Sequence, residues 1–226
     1  MGRLRTRQIL ADVLDNLFNL ESRLGRTIVG LTQNPGRVAR DYVDGQRIRF
    51  VSPFRYCLAT LALFFLIATL LGQAPLDATG IKISTSSTPG SATTGWTAGA
   101  VRDILGRHLM TIFLSSMPVL GLVLRLLFRR SGRNYAETMA FVFFTVGHAF
   151  LLSLLLLPLS TIWSDARDLR LLLVFGLLAY GARTFFASGA FAAAAKVLLG
   201  YVAYGLAMIA IGLIAVLLAM LLTNPS

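Results

Sequence analysis

The first long apolar run of the chain covers residues 53–71 and reads PFRYCLATLALFFLIATLL. A helix needs about 20 consecutive apolar residues to cross the hydrocarbon core of a bilayer, and this run is long enough. Four further runs are judged against the same length, and the sequence predicts about five membrane spans. These four are Leu109–Phe128, Tyr135–Leu157, Leu171–Phe186 and Val197–Leu222.

The composition supports this interpretation. Hydrophobic residues make up 56% of the 226 residues, charged residues make up 14%, and the mean hydropathy is +0.72. Soluble domains are about 25% charged, so the chain belongs to the membrane class and is predicted to be an all-α polytopic helical bundle. The single cysteine, Cys57, excludes a disulfide framework and a Cys-rich metal centre. No metal or cofactor is expected.

The fourth run, Leu171–Phe186, is the weakest because Arg183 lies inside it and its apolar part is short. It is either a tilted span that extends Arg183 to the surface, or a broken or re-entrant segment. Residues 72–100 are rich in Gly, Ser and Thr, and they predict a flexible exterior loop. The predicted domains are residues 1–52 and a transmembrane domain of residues 53–226 that includes this loop.

Basic residues are distributed unequally between the two sides that five spans define. One side holds the N-terminal region as far as Arg55 and the loops at 125–133 and 183–196, with 16 of the 21 Lys and Arg residues, and the other side holds 5. Positively charged loops are retained in the cytoplasm. The N-terminus is therefore expected inside and the C-terminus outside, and no cleavable signal peptide is expected.

Residues 1–52, which we call the front end, contain no apolar run long enough to span. Apolar residues in the segment 9–24 recur mostly at helical spacing, with polar residues largely between them, and this pattern predicts an amphipathic helix. That helix either lies in the membrane interface or packs against the ends of the spans.

Two further helix starts are predicted by capping residues. Asn34 can cap a helix whose first residue is Pro35, and Gly45 can end that helix in the left-handed conformation. Ser52 and Pro53 repeat the cap and first-turn proline at the start of the first span. The front end should therefore contain a short helix of about three turns, followed by a linker along the headgroups.

Five arginines concentrate around these two helix starts. Each basic group near an anionic surface contributes about 1 kcal/mol, and this chain is so apolar that lipid headgroups, rather than nucleic acid, are the expected anionic partner. The pattern is typical either of a shaped site for anionic lipid or a protein partner, or of ordinary positive-inside topology. The candidates are Arg37, Arg40, Arg47, Arg49 and Arg55.

The same residues carry a family resemblance. The series Asn34-Pro35-Gly36-Arg37, Arg40-Asp41-Tyr42, Gly45-Gln46-Arg47 and Pro53 resembles an uncharacterised family of bacterial multi-pass membrane proteins. In that family a P-G, R-x-Y, G-x-R, P series precedes the first span, often behind a zinc ribbon. This chain lacks the Cys pairs of the ribbon, and Thr138 stands where a histidine would follow Glu137. The resemblance implies a bacterial inner-membrane location and a topology, but no activity.

Polar groups inside the second span form another candidate set. Thr111, Ser115 and Arg125 fall on one helical face together with Pro118, and that face is expected to meet protein rather than lipid. A polar cavity between the second and third spans would make this face part of a transport pathway.

The third span contains two ionisable candidates. Glu137 follows Asn134 by three residues, which is the spacing of a capping box. His148 lies near the middle of the apolar run, and it is expected to be buried against other helices because imidazole has no partner in hydrocarbon. The alternative for both residues is a role in proton or substrate handling.

Three functions remain open from the sequence. The leading hypothesis is a non-enzymatic scaffold or accessory factor that binds anionic lipid or a protein partner through the front end. The alternative is a transporter or channel component that uses the polar groups between spans two and three. The third is a membrane lipid-modifying enzyme, although no nucleophile-and-base pair or metal-ligand spacing occurs in the sequence. No oligomeric state is predicted.

Overall fold

The computed structural model describes residues 22–73, 98–162 and 166–223, and side chains within 22–73, 106–159 and 169–211. Every regular element in these ranges is helical, in agreement with the predicted all-α class. The helices are α1 (residues 22–33), α2 (Pro35–Val43), α3 (Pro53–Leu70), α4 (Ala98–Leu127), α5 (Tyr135–Ile162), α6 (Ala166–Phe185) and α7 (Ala190–Thr223), with 3₁₀ turns at Arg47–Arg49 and Arg129–Ser131.

Four helices, α3, α4, α5 and α7, are long and apolar enough to cross a membrane, which indicates a membrane protein. The helix α6 corresponds to the weak fourth run of the sequence and is not one of them. Its 20 residues include four charged side chains, among them Arg170 and Arg183, and these lower its hydropathy. Among the described residues, length and composition therefore support four spans, and the predicted count of five is not confirmed.

Two predicted segments fall largely outside the described residues. The amphipathic helix over 9–24 is described only at its last three positions, which belong to α1, and the exterior loop over 72–100 is described only at its two ends. The helices that flank the predicted loop are α3, which ends at Leu70, and α4, which begins at Ala98.

The helix α5 is the centre of the bundle, because it packs against α2, α3, α4 and α6. The helix α7 packs against α4 and α6 on the far side. As a result, α4, α5, α6 and α7 form a closed ring in which each helix packs against two other members of the ring, and α3 lies outside this ring against α5.

The packing of α3 on α5 depends on Gly147. A Cβ atom at this position would lie 2.8 Å from the Cα of Cys57 and 3.1 Å from the Oγ1 of Thr60. The first of these is a backbone atom that cannot rotate away. Hydrogen in place of a side chain therefore allows the two helices to approach closely at this level.

The predicted short helix in the front end is confirmed. The Oδ1 atom of Asn34 accepts a hydrogen bond of 3.0 Å from the backbone N–H of Arg37, and Pro35 is the first residue of α2. Gly45 follows the helix with φ +120°, a conformation that favours glycine.

The start of α3 agrees with the prediction only in part. Pro53 begins α3 as predicted, but the Ser52 side chain makes no capping hydrogen bond, so the predicted cap is wrong.

We expect Gly147→Ala to destabilise the protein by about 1–3 kcal/mol, the usual cost of overpacking a tight core contact. Thermal unfolding of the purified protein in a mild detergent measures this loss. Gly176→Ala in α6 is the matched control, because a Cβ at Gly176 would meet no atom within 4 Å. It should leave stability unchanged or raise it by about 0.5–1 kcal/mol, since alanine is the better helix former. Equal stabilities for the two variants would contradict the close packing of α3 on α5.

Candidate functional site

The described part of the front end, residues 22–52, is folded onto itself by hydrogen bonds from its own side chains. The Arg23 guanidinium donates to the backbone carbonyl of Phe50 at 2.7 Å. The Thr27 hydroxyl donates to the Arg23 carbonyl at 2.7 Å and accepts from the backbone N–H of Val51 at 3.1 Å. These bonds hold the linker between α2 and α3 alongside α1.

The helix α2 lies directly on the end of α6. A Cβ at Gly36 would overlap the backbone carbonyl oxygen of Gly181, so the two helices touch at their glycines. One turn later, the Arg40 guanidinium donates to the carbonyls of Thr184 and Phe185 in the last turn of α6. A cation at the C-terminal end of a helix is favourable because the unpaired carbonyls there carry partial negative charge.

This contact gives Arg40 a structural role that the sequence did not show. Arg40 was predicted as a lipid-binding or partner-binding residue, but its guanidinium is occupied by the α6 carbonyls. It also lines, with Arg183, a polar cavity of about 460 Å³ at the same helix end. The partner carbonyls lie more than 140 residues away in the sequence, so no local pattern could have indicated them.

The end of α2 is joined to the start of α5 by an ion pair. Asp44 lies 2.7 Å from the guanidinium of Arg133, which also packs over the ring of Phe185. The hydrogen bond from Arg133 holds the pKa of Asp44 below its usual value. A lowered carboxyl pKa means that the pair is complete at neutral pH and is lost only as the pH falls through that pKa. Because Asp44 is exposed, we assign the pair a small contribution to stability.

Glu137 has the structural role that its spacing predicted. The Asn134 Oδ1 accepts from the backbone N–H of Glu137 at 2.9 Å, and the Glu137 Oε2 accepts from the backbone N–H of Asn134 at 3.1 Å. This is a complete capping box at the start of α5.

His148 is fully buried, as predicted, and both ring nitrogens have hydrogen-bond partners. Its Nδ1 lies 2.9 Å from the hydroxyl of Tyr56 in α3, and its Nε2 lies 3.2 Å from the hydroxyl of Thr32 in α1. A neutral imidazole offers one donor and one acceptor, which matches two hydroxyl partners. His148 therefore connects three helices, one of them in the front end.

These contacts place His148 at a different depth from the one that its place in the apolar run suggested. It is the fourteenth residue of α5, whereas its partner Tyr56 is only the fourth residue of α3. The helix α5 therefore extends well beyond the start of α3, and the histidine lies level with the first turn of α3 rather than with its middle. The structure thus places His148 at the junction between the front end and the bundle.

Three arginines come together in one groove of the front end. A cavity of about 520 Å³ between α1, α2 and the 3₁₀ turn is lined by Arg26, Arg37 and Arg49. Asp41 also lines it, as the acidic residue of the groove. We call this the arginine groove. Arg37 and Arg49 were candidates from the sequence, whereas Arg26 was not, because the bonds that fold the linker back onto α1 are not local.

The arginines of the groove differ in how they are held. Arg26 donates to the carbonyl and hydroxyl oxygens of Ser22, both at 3.1 Å, and the Arg49 guanidinium lies 5.5 Å from the centre of the Phe50 ring. Within the described part of the chain, the Arg37 guanidinium has no hydrogen-bond partner. The remaining candidates, Arg47 and Arg55, are exposed and do not line the groove.

The predicted polar face of the second span is oriented differently from the expectation. Thr111 and Ser115 are exposed on α4, and Arg125 is half-buried, so burial of this face against protein is wrong for the described residues. The Ser115 hydroxyl donates to the Thr111 carbonyl of its own helix at 2.8 Å, which removes the need for a protein partner. The transporter alternative depended on burial of this face, so the exposure of Thr111 and Ser115 removes that support.

Among the described side chains of α4, the buried polar one is Ser116, which was not a candidate. Its hydroxyl accepts a hydrogen bond of 2.7 Å from Tyr204 in α7. Among the described residues, no group of three His, Cys, Asp or Glu side chains lies close enough to hold a metal ion.

Residues 21–65 match the model of a family described as "Protein of unknown function (DUF3667)". The match covers the described front end and most of α3, including Thr32 and Tyr56, the two partners of His148. A search of curated proteins gave no match, and a search of solved structures gave none. The similarity is therefore to an uncharacterised family, and it lies in the segment that forms the arginine groove.

We expect Tyr56→Phe and His148→Phe each to destabilise the protein by about 1–3 kcal/mol, because each variant leaves a buried polar partner unsatisfied. The double variant should lose less stability than the sum of the two single losses, since both partners are then apolar. Thermal unfolding of the four proteins measures this coupling, for which about 0.5–3 kcal/mol is typical.

Tyr204→Phe in the background of His148→Phe is the control. It removes a hydroxyl whose partner is Ser116, so its effect should add to that of His148→Phe. If the effect of Tyr56→Phe also added to that of His148→Phe, the contact between Tyr56 and His148 would contribute no stability. The role of His148 in joining the front end to the bundle would then be wrong.

Proposed function

We propose that this protein is a non-enzymatic scaffold or accessory factor of the bacterial inner membrane, and that its arginine groove binds the phosphate of anionic lipid headgroups. The observation that carries the proposal is the convergence of Arg26, Arg37 and Arg49 on one cavity of about 520 Å³. A planar guanidinium can give two parallel hydrogen bonds to one phosphate. Three such groups around one cavity can hold the phosphate of a headgroup in a fixed position, which a dispersed surface charge would not do.

Apolar side chains beside the groove support a position at the bilayer surface. Ile48 is 88% exposed between Arg47 and Arg49, and Val29, which lines the groove, is 57% exposed. An interfacial segment inserts apolar residues among the acyl chains while its basic residues remain at headgroup depth. The 3₁₀ turn of the front end carries side chains of both kinds, which supports this position.

The proposal includes five crossings, with α6 as the fourth. The 20 residues of α6 reach about 30 Å at 1.5 Å per residue, which is the thickness of the hydrocarbon core. Its packing between α5 and α7 shields part of its surface from lipid, so a lower hydropathy is tolerated. With five crossings and the basic residues inside, the N-terminus is cytoplasmic and the C-terminus is outside.

A topology reporter tests this orientation. We expect an alkaline phosphatase fused after Ser226 to be active and a fluorescent protein that folds only in the cytoplasm to be dark. The reverse result would show that α6 does not cross and that the arginine groove and the C-terminus lie on the same side.

Lipid binding is tested by Arg37→Gln with Arg49→Gln. At about 1 kcal/mol for each basic group, the pair should weaken phosphatidylglycerol binding roughly tenfold or more. Native mass spectrometry of the protein in a neutral detergent, titrated with phosphatidylglycerol or phosphatidylcholine, measures the affinity. Arg37→Lys with Arg49→Lys should give an intermediate loss, because the charge stays and the paired donors are lost.

The matched control is Arg47→Gln with Arg55→Gln, which removes the same charge from exposed positions outside the groove. It should bind phosphatidylglycerol within about twofold of the wild type if the groove is the site. Equal losses of phosphatidylglycerol affinity in the two double variants would show that the groove arginines act only as the positive charges of ordinary positive-inside topology. Unchanged lipid binding together with loss of a co-purified polypeptide in the groove variant alone would point to a protein partner instead.

A further inference from the structure

A second polar cavity adjoins the arginine groove at the end of α6. Its volume is about 460 Å³, against about 520 Å³ for the groove. The two cavities have two wall residues in common, Asn34 and Tyr180. We call the second one the α6 cavity. Two volumes that meet along a common wall can be filled by one ligand that carries two polar groups.

The common wall is held in place by hydrogen bonds to the backbone. The Asn34 Oδ1 accepts from the backbone N–H of Arg37, and the Tyr180 hydroxyl donates to the Gln33 carbonyl at 3.2 Å. The wall therefore keeps its position between the two cavities. Within the described residues the amide nitrogen of Asn34 has no hydrogen-bond partner, so its two N–H groups are free to donate at the boundary.

Two arginines give the α6 cavity a positive charge. Arg40 and Arg183 line it, and none of its wall residues, all in the described part of the chain, is Asp or Glu. The bonds of Arg40 to the carbonyls of Thr184 and Phe185 hold its guanidinium in place, so Arg40 contributes charge. Arg183 is exposed, and its guanidinium makes no hydrogen bond or ion pair with any described residue. Arg183 is therefore the group that can give paired hydrogen bonds to an anion here.

Other features of the same wall favour a binding site. The Nε of Arg40 and the Oγ of Ser188 are buried and have no hydrogen-bond partner within the described chain. Buried polar groups in native proteins are nearly always paired, with protein, with water or with a bound ion. Ala187, also in the wall, has φ +49°, which is uncommon for a residue with a side chain. Backbone conformations of this kind concentrate at ligand-binding positions.

Exposed apolar side chains flank both cavities. Val29 lines the arginine groove and is 57% exposed. Phe191, three residues after Ser188 of the α6 cavity, is 89% exposed. A soluble anion would leave these side chains in water, whereas a lipid would cover them with its acyl chains. The ligand that suits both the charges and the apolar borders is an amphiphile.

We propose that the two cavities together bind one lipid with two phosphodiester groups, one phosphate lying in the arginine groove and the other at Arg183. This inference rests on the proposed function, because the groove must take the first phosphate. The two phosphates of a diphosphate share an oxygen atom and would fit within one cavity. Two phosphodiesters joined by a short linker match two adjoining cavities better, and this is the chemistry of cardiolipin, in which glycerol joins two phosphatidyl groups.

The test is native mass spectrometry of the full-length protein in a neutral detergent, titrated with cardiolipin or with phosphatidylglycerol. The wild type should bind cardiolipin at least tenfold more tightly, because the second phosphate binds from a lipid that is already attached. Arg183→Gln should reduce this ratio of affinities to about twofold. The second phosphate then lacks its donors, and cardiolipin binds through the groove alone.

Two controls separate this inference from the proposed function. Arg130→Gln removes the same charge from an exposed position that lines neither cavity, and it should keep the wild-type ratio. Arg37→Gln with Arg49→Gln should weaken the binding of both lipids. Unchanged phosphatidylglycerol affinity in that double variant would contradict the groove itself. A wild-type ratio in Arg183→Gln would contradict only the shared site.

Three further results would overturn the inference. Equal affinity of the wild type for the two lipids would show that the second phosphate has no site. Equal losses of the ratio in Arg183→Gln and Arg130→Gln would show that cardiolipin responds only to overall charge. Tighter binding of farnesyl diphosphate than of cardiolipin would show that both phosphates lie in one cavity.

Discussion

The contact between Gly36 in α2 and Gly181 in α6 determines how the front end meets the bundle. Because neither residue has a Cβ, the two backbones approach closely enough for Arg40 to reach the carbonyls at the end of α6. The bonds of Arg23 and Thr27 hold α1 and the linker after α2 together. Thr32 of α1 then lies within hydrogen-bond distance of His148. The described part of the front end, residues 22–52, is therefore an integral layer of the bundle.

This arrangement gives five of the described arginines in the front end two different roles. Arg23 and Arg40 turn toward backbone carbonyls and hold the chain in place. Arg26, Arg37 and Arg49 line an open groove at the same end of the molecule. The first group determines the shape of the groove, and the second supplies its charge. A site for phosphate needs both, because a guanidinium that is not held in position contributes only a diffuse attraction.

The sequence predicts most of the local features of this structure and misses most of the long-range ones. The cap at Asn34, the turn at Gly45 and the capping box at Asn134 and Glu137 depend on neighbours within a few residues, and all are present. The role of Arg40 and the level of His148 depend on helices far away in the chain. The predicted burial of the polar face of α4 is wrong because a serine can bond to its own helix. A hydroxyl therefore does not by itself require a protein neighbour.

The central claim is that α2 is packed into the bundle rather than lying loosely on a membrane surface. Hydrogen–deuterium exchange of the wild-type protein in nanodiscs tests this most directly. Packing predicts that the amides of residues 36–43 exchange as slowly as those in the last turn of α6, because the two segments open together. Exchange of residues 36–43 within seconds, while α5 and α6 remain protected, would contradict the account.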